Sequence, residues 1–276
     1  LDVSKWDTSK VTSMSTMFQN QTALTTLDVS NWNTSACTDM SYMFYGCTSL
    51  ETLDVSDWNV SKVITFKEMF SCGTDFGTVP MVIQELDVSN WNTSSATDMS
   101  FMFYGCKGPK SIDVSGWDVS KVKNFDHMFA HSYMTIGDTR YWHVSTACTN
   151  LNAAFHSVQN TTFNASNFDT SNVQFFCQMF QDCYKLTEII GLENLDTSSG
   201  LGFEEMFRYC GSIKELNLSN FDTTKAKNGV TASANGHKTS TLHSIFGSMN
   251  SLEKITLGEK FSFNGDGTNT NSANVG

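Results

Sequence analysis

Five aspartates recur at one place in a repeated phrase: Asp2, Asp28, Asp54, Asp87 and Asp113, each followed two residues on by Ser4, Ser30, Ser56, Ser89 or Ser115. A row of carboxylates and hydroxyls at fixed spacing has three uses. It can hold a basic or hydroxyl-rich partner. It can give oxygen ligands to a hard cation such as Ca2+. It can also be a solvated row that blocks edge pairing and aggregation. Stacked about 5 Å apart, like charges repel, although solvent screens them. The partner reading makes Asp28, Asp54, Asp87 and Asp113, with Ser30, Ser56 and Ser89, the candidate binding face.

A second group gathers where the repeat is least regular. His127, His131, His143 and His156 fall in one stretch, and His127 and His131 are spaced to share one face of a helix. Zinc takes three or four such ligands. No carboxylate or cysteine stands at matching spacing, so no metal and no other cofactor is expected. Tyr133, Tyr141 and Trp142 lie in the same stretch. Such aromatics are favoured at binding hot spots, which adds all three to the candidate face. The fixed place of Trp6, Trp32, Trp58, Trp91 and Trp117 in their repeats points to core packing. The column Thr8, Thr34, Thr93, Thr170, Thr197 and Thr223 is broken by Val60 and Val119 and falls at a turn, which argues against a flat lattice-matching array.

Nothing in the sequence supplies catalysis. It has no Gly-rich phosphate loop, no nucleophile elbow and no acid pair apart from the repeat, so the chain is not expected to be an enzyme. Eight cysteines occur without a CxxC spacing, and Cys47, Cys106, Cys183 and Cys210 share one column. They read as small buried residues. A bridge between Cys183 and Cys210, on consecutive units, stays open. The net charge of −11 disfavours a nucleic-acid partner, whose phosphates call for Lys and Arg. No 18-residue apolar run is present, so direct membrane insertion is not expected.

The elements that must position these residues are repeats. Leu27–Cys47 returns at Leu86–Cys106 with 18 of 21 residues identical. Counted from the Leu of Leu-Asp-Val-Ser, units begin at Leu1, Leu27, Leu53, Leu86, Ile112, Asp138, Phe163, Ile190, Leu216 and Ile255, most often 26 residues apart. Insertions near 73–80 and 228–240 read as surface loops, 138–162 is a degenerate unit, and 264–276 is a polar tail or linker. The solenoid thus spans 1–263. The chain begins at Leu1, inside a repeat, and reads as a piece of a longer protein.

Within a unit the apolar period changes. Leu27 and Val29 alternate as in a strand, whereas Met40, Met43 and Phe44 have helical spacing. Asn33-Thr34-Ser35 between them suits a turn or helix cap. Each unit therefore reads as strand, turn, short helix, turn.

The pattern Leu-Asp-Val-Ser-x-Trp-(Asn/Asp)-Thr-Ser-x-Val-x-x-Met-x-x-Met-Phe-x-x-Cys-x-x-Leu, seen from Leu27 to Leu50, resembles the leucine-rich repeats of BspA-like bacterial surface proteins. The resemblance implies an α/β repeat solenoid: a right-handed horseshoe with parallel strands on the concave face and short helices on the convex face. It also implies a cell-surface or secreted protein that mediates adhesion by binding a host or bacterial surface protein or a glycan. The alternative is a structural stalk in a larger surface protein.

Overall fold

The segments with helical spacing do not form helices. In an α-helix each N–H bonds the carbonyl four residues back. In the computed structural model, which describes residues 1–73 and 81–263, Met14, Thr16, Phe18 and Asn20 donate instead to Asp39, Ser41, Met43 and Tyr45 of the next coil, at 2.7–3.0 Å. Met17, Gln19 and Gln21 turn back to Met14, Thr16 and Phe18. Met40, Tyr42, Phe44 and Gly46 repeat the scheme toward Thr65, Lys67, Met69 and Ser71.

Such a run needs a left-handed residue every fourth position. These are Thr16 and Asn20 in one coil, Tyr42 and Gly46 in the next, then Phe101 and Gly105, and His127 and His131. A non-glycine residue there costs roughly 1–2 kcal/mol. Bonds to the next coil and apolar burial offset it. A turn every four residues brings Met40 and Phe44 back to the interior, as a helix would. Spacing alone does not separate the two.

The expected α/β, leucine-rich-repeat-like right-handed horseshoe is therefore corrected. Among the described residues there is no α-helix, only short 3-10 turns at Thr139–Tyr141 and Leu192–Asn194. The strands are two to four residues long: β1 Ser111–Ile112, β2 Thr135–Ile136, β3 Thr162–Asn164, β4 Glu188–Ile190, β5 Glu215–Leu218, β6 Asn228–Thr231, β7 Lys238–Ser240 and β8 Lys254–Leu257. They pair as four separate two-stranded sheets: β1–β2, β3–β4 and β5–β8 parallel, β6–β7 antiparallel. No helical layer stands opposite a strand layer. The coils are joined by a thread of single parallel bridges, Ser13 to Asp39, Thr65, Asp98, Asn124, Asn150, Phe175 and Gly202 in turn.

The register also moves two origins. Ile112 pairs with Ile136, so the degenerate unit starts two residues before Asp138. Phe163 pairs with Ile189, which is buried, while Ile190 is exposed. The insertion at 228–240 is the β6–β7 hairpin rather than a plain loop. Most of the one expected near 73–80, and the tail 264–276, lie outside the described residues.

The core is built in columns along the stack. Trp32, Trp58, Trp91, Trp117 and Trp142 are buried, and each indole N–H donates at 2.9–3.1 Å to the carbonyl of Val3, Val29, Val55, Val88 or Val114 on the preceding coil. The buried Thr column works forward: Thr8, Thr34 and Thr93 hydroxyls donate to Asn33, Asn59 and Asp118 carbonyls. All eight cysteines are buried and unbridged. The Cys47, Cys183 and Cys210 thiols contact the carbonyls of Phe18, Phe155 and Phe180.

A candidate functional site beneath the insertion hairpin

On the regular coils, the candidate aspartates shape the chain. Asp28, Asp54, Asp87 and Asp113 are exposed, yet Oδ1 of each accepts the amide and hydroxyl of Ser30, Ser56, Ser89 or Ser115 at 2.6–3.2 Å. This Asx turn supplies a corner of the coil. The same device recurs at Asn33–Ser35, Asn59–Ser61 and Asn92–Ser94, so an amide serves it as well as a carboxylate. The Ser89 hydroxyl and amide hold the Asp87 carboxyl below its usual range. Shallow grooves run between these rows. One of about 870 Å³ is lined by Glu51, Asp54, Glu85, Asp87 and Val82, and one of about 530 Å³ by Asp2, Asp28 and Asp54.

The irregular stretch divides. Tyr133 and Tyr141 are exposed, at 43% and 68%, but Trp142 is fully buried in the indole column and offers no surface to a partner. His143 does not join the other histidines around the cavity described next.

His127, His131 and His156 line a cavity of about 460 Å³ with Tyr104, Gln178, Gln181 and Asp182. Asn235 and His237 from the turn of β6–β7 close it. The left-handed turns set this arrangement, because His127 and His131 both sit at left-handed positions of one coil, with Tyr133 a third. The His127 ring stacks on Phe101 at 4.7 Å, and His131 meets His156 edge-on at 4.4 Å. His156 Nε2 is 3.0 Å from Asp182 Oδ2. Burial, with His156 and His127 nearby, pushes His131 down to about 4. Burial also lowers His156, against the pull of Asp182. Both rings are thus held toward the neutral form, whose unprotonated nitrogen can accept a hydrogen bond. The Ser132 and Ser157 hydroxyls are buried without a partner, so neither is bonded to an imidazole as a nucleophile would be.

Beside the cavity runs a buried column the sequence reading missed. The inter-coil bonds place Ser100, Asp126, Asn152, Cys177 and Glu204 at one position of successive coils, all buried. Asp126 is the best satisfied. Its Oδ1 is 2.6 Å from His127 Nδ1 and accepts from Asn152 Nδ2 at 2.9 Å, while Oδ2 accepts Ser233 Oγ at 2.6 Å and the Ala234 amide at 3.3 Å. Asn150 Nδ2 donates to the Ala232 carbonyl at 2.9 Å. At Gly202 the hairpin comes so close that an added Cβ would lie 2.4 Å from Thr239 Cγ2. The hairpin therefore lies across several coils and covers the column. The signal was present as a change of type: Ser41 and Ser100 close corners at this position, then Asp, Asn, Cys and Glu follow. It is visible only once the units are in the correct register.

Stacked coils tied by one scheme of corners, indoles and left-handed turns define a repeat protein. The chain belongs to the family described as "Mycoplasma protein of unknown function, DUF285", which matches residues 1–82, 83–162 and 149–238. No curated protein matches it. A crystal structure of a leucine-rich repeat protein from Bacteroides ovatus is 15% identical over 89% of this chain and 78% of its own, with a TM-score of 0.18. A superposition that poor carries no argument about this chain.

Proposed function

We propose that the chain is a recognition module of the BspA-like kind, at the cell surface or secreted, that binds a surface protein or glycan through its acidic face. The observation that carries this is the exposed row Asp28, Asp54, Asp87 and Asp113, bordered by long shallow grooves. The corner turn uses Oδ1 of each, and Oδ2 takes no partner among the described residues. One oxygen builds the coil and the other is free for a basic or hydroxyl-rich ligand. The net charge of −11 points away from nucleic acid. A stalk is the second reading, favoured by the corner role of the same aspartates.

The test is binding to arrays of matrix proteins and glycans by the parent and by the combined variant Asp28→Asn, Asp54→Asn, Asp87→Asn. Asparagine keeps the corner acceptor and removes the charge. The recognition reading expects a ligand whose affinity falls roughly tenfold or more, about 1.4 kcal/mol, in the variant. A ligand bound equally by both would overturn the acidic face, and no ligand at all would leave the stalk.

A further inference from the structure

Where Asp126 is fully partnered, Glu204 is not. It is 3% exposed, and its oxygens find no partner in good hydrogen-bond geometry, only looser approaches from the Cys177 thiol and the Ser240 backbone. His237 Nε2 lies 3.2 Å from Oε1, close enough for charge attraction but without hydrogen-bond geometry, and His237 Nδ1 is also buried without a partner. A buried carboxylate held so weakly is costly, by several kcal/mol if it stays charged. Cys177 completes the group. One ligand atom each from Cys177, Glu204 and His237 lies within 4.8 Å of the others. Thiolate, carboxylate and imidazole are a donor set for a divalent transition cation rather than for calcium.

We propose that Cys177, Glu204 and His237 form a binding site for a divalent cation of the zinc class, which clamps the β6–β7 hairpin onto the coils. Tetrahedral zinc, about 2.0–2.3 Å from each donor, needs donors roughly 3.3–3.8 Å apart. His237 and Glu204 already stand 3.2 Å apart, the widest pair of the trio has to close by up to about 1 Å, and His237, on the hairpin turn beside Gly236, is the member placed to move. Three protein ligands leave the fourth position to water. Binding releases the Cys177 thiol proton to solvent, and the Glu204 proton where that carboxyl is neutral. Without the cation, burial holds both groups above their ordinary range. The site accounts for three features: the weakly held Glu204, a cysteine outside the Cys47 column, and a histidine carried in by an insertion.

The experiment takes the reduced chain, freed of metal by a chelator, and titrates it with Zn2+ by calorimetry and with Co2+ by absorption. One equivalent is expected to bind, with a thiolate-to-cobalt charge-transfer band. His237→Ala, on the partly exposed hairpin, keeps the coils intact and is expected to weaken binding roughly tenfold or more, since even outer-shell changes cost that much. Glu204→Gln should do the same, and Cys177→Ser should remove the band. Absence of saturable one-equivalent binding overturns the proposal. So does binding that His237→Ala leaves unchanged, or a band that survives in Cys177→Ser.

Discussion

In the coils up to Trp117, aspartate and serine stand at exposed corners and close the chain on itself. From Asp126 onward, aspartate, asparagine, cysteine and glutamate occupy a buried column under the β6–β7 hairpin. Exposed corners continue in the second region, at Asp169–Ser171 and Asp222–Thr224, and what is added there is the buried column, where the same residue types do opposite work. A corner aspartate is satisfied by its own neighbours two residues away, so its surroundings need nothing further. A buried aspartate needs donors brought from elsewhere. Asp126 draws them from Asn152 on the next coil and from Ser233, 107 residues on. The regular half explains how the stack is built. The irregular half holds the demanding chemistry, because only there does the insertion cover the stack.

The largest contrast should come from the indole column that both halves share. Trp117→Ala removes a 2%-exposed side chain and its indole bond of 2.9 Å to the Val88 carbonyl, which keeps only the Trp91 amide at 3.1 Å. It should cost about 3–5 kcal/mol in chemical denaturation. Trp6, 49% exposed at the first coil, stacks on Trp32 alone among the described residues. Trp6→Ala should cost about 1 kcal/mol. Equal losses would show that the column does not depend on covering coils.

The smallest effect sharpens the corner argument. Asp28→Ala strands the Ser30 amide and hydroxyl and should cost about 0.5–1 kcal/mol, whereas Asp28→Asn should be near neutral. A cost for Asn equal to that for Ala would mean that charge, not the Asx turn, shapes the corner.

Much of the stack was legible in the sequence. The spacing of Leu27 and Leu53 gave the coil length, and the fixed place of Trp32 and Trp58 identified the core. The helices were misread because spacings of three and four fit both an α-helix and a run of left-handed turns. What separates them is where the amides of Met14, Thr16 and Phe18 go, and periodicity carries no record of hydrogen-bond partners. Trp142 was placed on a surface because it stands six residues after Ile136, where Trp32 stands five after Leu27, so counting along the unit puts the exposed Tyr141 in the indole column instead. His127, His131 and His156 were recognised as a group. His237, which closes their cavity, and its meeting with Glu204 were out of reach, because the hairpin's return across the stack is a long-range contact.

The central claim is that the insertion hairpin and the left-handed turns bury the histidine cluster of the irregular half. Titrating His131 by NMR tests it most directly. The account predicts a midpoint of about 4, against the ordinary 6.5. Because the folded value is depressed, the unfolded chain takes up the proton first. The stability tied to this group is therefore full above 6.5 and is lost as pH falls toward 4. A His131 midpoint near 6.5 in the intact chain, with stability unchanged over that window, would contradict it.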